Sequence, residues 1–159
     1  MWANNVGLNV GASGGTKTVS NGSITLNEIG NDEVYTLFSE SSFPNGAKIP
    51  VNAGDKFTIT WEYSESTANT ESYLYVFGNA SNSYMSYTAG RTKKLDYTVP
   101  SGVTYLTWRV GMGGNQQGRS VTYSNMMIQT KESYDAGFTD YQPYAMSNAE
   151  ITAWILAQS

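Results

Sequence analysis

Lys56-Phe57-Thr58-Ile59-Thr60-Trp61-Glu62-Tyr63-Ser64-Glu65 decides the fold class. Phe57, Ile59, Trp61 and Tyr63 alternate with Thr58, Thr60 and Glu62. A period of two sends successive side chains of an extended strand to opposite faces, so this segment has one apolar and one polar face. Outward from it the pattern repeats. In Ser72 to Gly78, Leu74 and Val76 stand against Tyr73, Tyr75 and Phe77; in Lys93 to Val99, Leu95, Tyr97 and Val99 stand against Lys94, Asp96 and Thr98. Thr104 to Val110 sets Leu106, Trp108 and Val110 against Tyr105, Thr107 and Arg109.

Shorter extended runs complete the chain: Val6 to Val10, Thr16 to Ser20, Ser23 to Glu28, Glu33 to Ser39, Lys48 to Val51 and a last strand from about Arg119 to Gln129. Asn21-Gly22 between two of them is a strong hairpin signal. Gly78 to Tyr87, polar with two tyrosines, and the glycine- and amide-rich Gly111 to Gly118 read as loops. Eight to ten short strands, with turns every ~8–12 residues, predict an all-β jelly-roll β-sandwich. Ser147 to Leu156 reads as a short C-terminal helix. Ser147 and Glu150 form a capping box, and Ile151, Trp154 and Ile155 make one apolar face.

Composition agrees and excludes much. A chain of 159 residues fits one domain with a core of its own. It contains no Cys and no His, which removes serine–histidine and cysteine–histidine nucleophiles and zinc sites built on imidazole or thiolate. Charged residues make up 14% and the net charge is −4, with nine Lys plus Arg scattered along the chain, so nucleic-acid binding is not expected. No apolar run approaches the ~20 residues of a membrane span, and no membrane insertion is expected. Met1-Trp2-Ala3-Asn4-Asn5 lacks the basic start and apolar core of a signal peptide.

The chain end carries a resemblance. Ser124-Asn125-Met126-Met127-Ile128, followed by Asp140-Tyr141-Gln142-Pro143-Tyr144 and then Ser147-Asn148-Ala149-Glu150, resembles the closing segment of jelly-roll modules in phage tail, baseplate and receptor-binding proteins. Those modules are similar to carbohydrate-binding modules. The resemblance implies a non-catalytic module on a virion surface, or otherwise extracellular, that attaches to a host or environmental glycan beside other tail proteins. It implies residues 1–146 as the sandwich and 147–159 as a connector or an oligomerisation helix, through which Ile151, Trp154 and Ile155 would form a trimer. Many carbohydrate-binding jelly rolls hold a calcium ion with an Asp just before the Asn–apolar pair. Here Ser124 stands at that place, so no metal and no cofactor is expected.

The residues themselves suggest where a sugar would bind. With Leu74, Val76, Leu106, Trp108 and Val110 in the core, Tyr73, Tyr75, Phe77, Tyr105 and Arg109 face outward. Aromatic faces stack on the C–H faces of sugar rings, while polar tips bond hydroxyls. Glu62 is expected to join from a neighbouring strand, Tyr84 and Gln116 from the two loops. The same aromatics would equally serve as cross-strand pairs that stabilise a sheet. Catalysis is not expected, because Glu62 and Glu65 at i and i+3 point to opposite faces, whereas a glycosidase needs two carboxylates across one cleft. A structural virion decoration domain without a ligand, and an accessory module of a bacterial polysaccharide-degrading enzyme, are the alternatives.

Overall fold

The computed structural model describes residues 9–11, 15–20, 23–38 and 49–140. In chain order the strands are β1 (Asn9–Gly11), β2 (Gly15–Ser20), β3 (Ser23–Glu28), β4 (Val34–Phe38), β5 (Ile49–Pro50), β6 (Lys56–Glu65), β7 (Ser72–Gly78), β8 (Ser81–Ala89), β9 (Lys94–Thr98), β10 (Tyr105–Met112) and β11 (Ser120–Thr130). A single helical turn, α1 (Lys131–Asp135), follows β11. They form two antiparallel sheets. The first has the order β1-β4-β10-β7-β8, with β5 continuing the β4 side of β10; the second runs β2-β3-β11-β6-β9.

The period-two reading holds. Leu74 and Val76 of β7, Leu106, Trp108 and Val110 of β10, and Leu95 and Tyr97 of β9 are buried between the sheets with Val99, just past β9. Ile59 and Trp61 join them from β6, with Phe57 and Tyr63 packed at the margin. Trp61 also satisfies its indole, donating from Nε1 to the Gly90 carbonyl at 2.6 Å. The expected hairpin at Asn21-Gly22 is flanked by paired strands, with Ser20 opposite Ser23.

The last strand changes face midway. Val121 and Tyr123 are core residues, and the next to pack inward are Met126 and Ile128, so the parity shifts by one. The pairing of β11 with β6 breaks between Ser124 and Met127, where Asn125 takes φ 50°. One extra residue at a bulge reverses which side chains face in, and Asn is among the few side chains that tolerate the left-handed region.

One expectation is corrected here. Gly78 to Tyr87 is not a loop but the β7–β8 turn and most of β8. Asn79 and Ala80 both have positive φ, 51° and 52°, as the two-residue turn of a tight hairpin requires. Ala at the second position hides that turn in the sequence, and the Ser/Asn-rich strand hides behind its loop-like composition. A helical turn not read from the sequence, α1, caps itself when Thr130 Oγ1 accepts from the Ser133 N–H at 3.2 Å. The expected C-terminal helix with Ile151, Trp154 and Ile155 lies outside the described residues.

Candidate ligand-binding face

β10 carries Arg109 in register with Tyr75 of β7, and Tyr75 in register with Tyr87 of β8. One row over, Gly111 stands opposite Tyr73, and Tyr73 opposite Ala89. On the side of Phe77 lies Met85. Because alternate residues share a face, all of these project from the outer side of the first sheet, away from the core. The row from β4 to β8 crosses about 14 Å at ~4.8 Å per strand.

Arg109 is the centre. Its guanidinium carbon lies 4.1 Å from the Tyr35 ring centroid, 5.1 Å from Tyr73 and 5.2 Å from Tyr75. Nη2 donates to Glu33 Oε1 at 2.6 Å and to the Tyr73 hydroxyl at 3.0 Å. The Tyr73 hydroxyl in turn donates to the same Glu33 oxygen. Nε is buried and makes no hydrogen bond, so aromatic faces supply its surroundings. The result is a charge-neutral Glu33–Arg109–Tyr73 cluster.

Gly111 makes that cluster possible. A Cβ there would lie 2.2 Å from Cζ and from the hydroxyl of Tyr73, so the Tyr73 ring lies over the bare backbone of β10. Tyr73 is only 9% exposed as a consequence. From the core side, the Tyr123 hydroxyl reaches across the sandwich to the carbonyls of Tyr73 and Gly111, at 2.9 and 3.0 Å. The same two residues are therefore held from both faces of their sheet.

Away from Arg109 the rings stack on one another. Tyr75 and Phe77 lie 5.9 Å apart with planes 16° apart, and Tyr75 and Tyr87 5.4 Å apart at 28°. Tyr73 meets Tyr75 edge-on at 4.7 Å. Tyr75 is thus enclosed by its neighbours, and the aromatic surface open to solvent is Tyr87, 64% exposed, beside Met85 at 40%.

Of the seven residues expected here, the structure brings together Tyr73, Tyr75 and Arg109, with Tyr105 further along the same face of β10. It does not bring the other three. Glu62 lies on β6 in the second sheet, exposed on the far side of the sandwich, because β7 pairs with β10 and β8 and not with β6. Tyr84 turns inward and packs against the core. Gln116 braces the β10–β11 connection: its Oε1 accepts from Arg119 Nη1 at 2.9 Å, and its N–H donates to the buried Glu28 at 2.8 Å. Glu33, Tyr35, Met85 and Tyr87 take their places. Val34-Tyr35-Thr36-Leu37-Phe38 does not alternate apolar with polar residues, so Tyr35 had no signal of its own; Tyr87 needed β8 to be recognised as a strand.

Glu62 and Glu65 point to opposite sides of β6, as their spacing predicts. Glu62 faces solvent, while Glu65 turns to the other side of β6 and accepts from the Tyr63 hydroxyl at 3.0 Å and the Asn69 N–H at 3.1 Å. Two open grooves lie elsewhere, one of about 680 Å³ lined by Asp55, Phe57 and Lys131, and one of about 340 Å³ lined by Met127, Gln129 and Phe138. Neither includes any residue of the aromatic face.

Burial raises the Tyr73 and Tyr123 hydroxyls well above the ordinary tyrosine range, with the Glu33 hydrogen bond adding to the effect at Tyr73. A group whose folded pKa is raised stabilises the fold fully below its unfolded value, about 10 for tyrosine, and loses that contribution as pH climbs toward the folded value. The melting temperature should therefore stay level from pH 7 to 9 and fall above about pH 10. In Tyr73→Phe the fall should be shallower, and a slope as steep as the wild type's would contradict the assignment.

No protein-family model matches the sequence, and no curated protein matches it. Solved structures match by fold. The bacteriophage CBA120 tailspike protein 4 enzymatically active domain superposes with a TM-score of 0.54 at 11% identity, over 81% of this chain and 20% of that one. The present chain thus spans about a fifth of the tailspike chain. A chain of the accessory secretory protein 1, 2 and 3 structure from Streptococcus pneumoniae gives 0.53 at 14% identity, over 81% and 98%. A chain described as "CBM4 structure and function" gives 0.49 at 10% identity, over 80% of each. The protein is a jelly-roll β-sandwich, similar in fold to part of a phage tailspike.

Proposed function

We propose that this protein is a non-catalytic glycan-binding module, and that the glycan lies on the outer face of the first sheet between Tyr87 and the Glu33–Arg109–Tyr73 cluster. The observation that carries the reading is the pairing of an exposed aromatic surface with a polar cluster on one rigid sheet. Tyr87 and Met85 offer apolar area to the C–H side of a sugar ring. Glu33 offers acceptors and Arg109 donors, which suits hydroxyl groups that are both. Tyr87, Arg109 and Tyr73 stand on paired strands, so little ordering entropy is lost on binding.

The absence of catalysis in this reading rests on Glu62 and Glu65, which face opposite sides of β6 with no cleft between them. The setting on a phage tail or virion surface rests on the resemblance of the chain end, and a tailspike chain carries the same fold.

A glycan array on the full chain, followed by titration calorimetry of the best binder, tests the reading. Tyr87→Ala and Arg109→Ala should each weaken binding by about tenfold or more, the equivalent of ~1.4 kcal/mol. Glu62→Ala should leave it unchanged. Loss of binding in Glu62→Ala would move the site to the other sheet. An array without any binder would favour a structural module.

A further inference from the structure

We propose that β8 is a self-association edge, through which two copies of this chain pair antiparallel and join their first sheets into one. An exposed sheet edge presents unpaired N–H and C=O groups, and folded proteins protect such edges with short strands, charges or proline. Four of the five edges among the described residues are protected in that way, β5 by having two residues, one of them Pro50. β1 has three residues, β9 carries Lys94 and Asp96 in five, and β2 carries Lys17.

β8 is different. Ser81-Asn82-Ser83-Tyr84-Met85-Ser86-Tyr87-Thr88-Ala89 is nine residues long with no charge and no proline. Among the described residues no strand pairs with it other than β7. Its pairing with β7 is irregular next to the turn, where Phe77 faces Met85 and the next residue, Gly78, faces Ser81. Met85 to Ala89 is therefore the regular stretch, five residues whose outer edge no other described strand pairs. This stretch also carries Met85 and Tyr87, two of the four large hydrophobic residues that are exposed among those described.

A second copy fits this edge better than a foreign strand, because the apolar pair is its own complement. In an antiparallel two-fold arrangement centred on Ser86, Met85 of one copy stands opposite Tyr87 of the other, and the reverse. Each side chain is flanked laterally by its counterpart in a sulfur–aromatic contact, with the outward face of Tyr87 left open to a sugar, in a closed isologous interface. No charge anywhere on the strand opposes this approach. The aromatic faces of the two copies would then lie side by side on one continuous sheet.

Sedimentation equilibrium of the full chain from 5 to 500 µM tests the proposal. The expected result is a reversible monomer–dimer equilibrium. Ser86 stands opposite Val76 on the core-facing side of β8, so in Ser86→Lys each ammonium reaches water only past the strand edge, beside its counterpart at the two-fold; dissociation should shift by at least tenfold, while Thr98→Lys on β9 should not shift it. A wild-type chain that stays monomeric throughout, or that forms trimers, overturns the proposal. So does a Ser86→Lys variant that folds, by circular dichroism, and dimerises like the wild type. Since the chain has no cysteine, Ser86→Cys provides a second readout: a short bis-maleimide should link it into dimers, and should leave Thr98→Cys monomeric. Equal linking of both would also overturn it. Tyr87, Arg109 and Glu33 are intact in every variant, so glycan binding is judged separately.

Discussion

Tyr123→Ala should destabilise the fold by about 4 kcal/mol, a large part of the ~5–15 kcal/mol that holds a domain of this size together. Tyr123 is fully buried on β11, and its ring meets Tyr63 edge-on at 5.5 Å. Truncation to Ala removes that contact area and leaves a cavity that the flanking strands, held by their ladders, close only in part. The hydroxyl is a smaller part of the total. It crosses from one sheet to the carbonyls of Tyr73 and Gly111 in the other, and its one proton is shared between them.

Tyr123→Phe keeps the ring and should cost only about 1 kcal/mol, the net worth of one hydrogen bond. Urea unfolding of both variants separates the two contributions, with unchanged slopes confirming that the midpoint shifts report stability. Equal losses for Phe and Ala would mean that the cross-sheet hydrogen bond, not the packing, is what Tyr123 supplies. Because that bond ends on the backbone beneath the Tyr73 ring, Tyr123→Phe should also weaken ligand binding without any contact to the ligand.

Gly111→Ala is the second large effect. The new methyl would stand 2.2 Å from Tyr73, and the neighbouring backbone is fixed by pairing with β4 and β7, so the ring must leave its place over β10. With it go the Tyr73 contacts to Glu33 and Arg109. Overpacking of this kind costs about 1–3 kcal/mol, and glycan affinity should fall by tenfold or more in parallel. A double-mutant cycle makes the test sharp. In a Tyr73→Ala background the ring is already gone, so Gly111→Ala should add almost nothing. Additive losses in stability would show that Gly111 is needed for its own backbone and not for Tyr73. This outcome can be read by thermal or chemical unfolding with no ligand at all.

The strands and their faces were legible in the chain because they are local. Phe57, Ile59 and Trp61, or Leu106, Trp108 and Val110, declare an apolar side within ten residues, and burial follows that side wherever the strand is placed. Even the outward direction of Tyr73, Tyr75 and Arg109 came from this alternation alone. β8 escaped because its polarity is that of a loop and its turn uses Asn79-Ala80 in place of Asn-Gly. Residues 131–135 escaped because a single capped turn has no period to show.

Which faces meet was decided only by the tertiary structure. Glu62 was expected beside the tyrosines, and it lies in the other sheet; Tyr87, Tyr35 and Glu33 stand where it was sought. Period two records in from out, but the partner of each strand is set by hydrogen bonds between segments far apart in sequence. Glu33 meets Arg109 across 76 positions, and β11 joins β3 and β6 from almost the other end of the chain. The all-β class, most of the strand faces and the exclusion of thiol and imidazole chemistry were determined by the sequence. The composition of the site was determined by strand order, because backbone ladders pair any two extended segments and leave no local mark of which two they join.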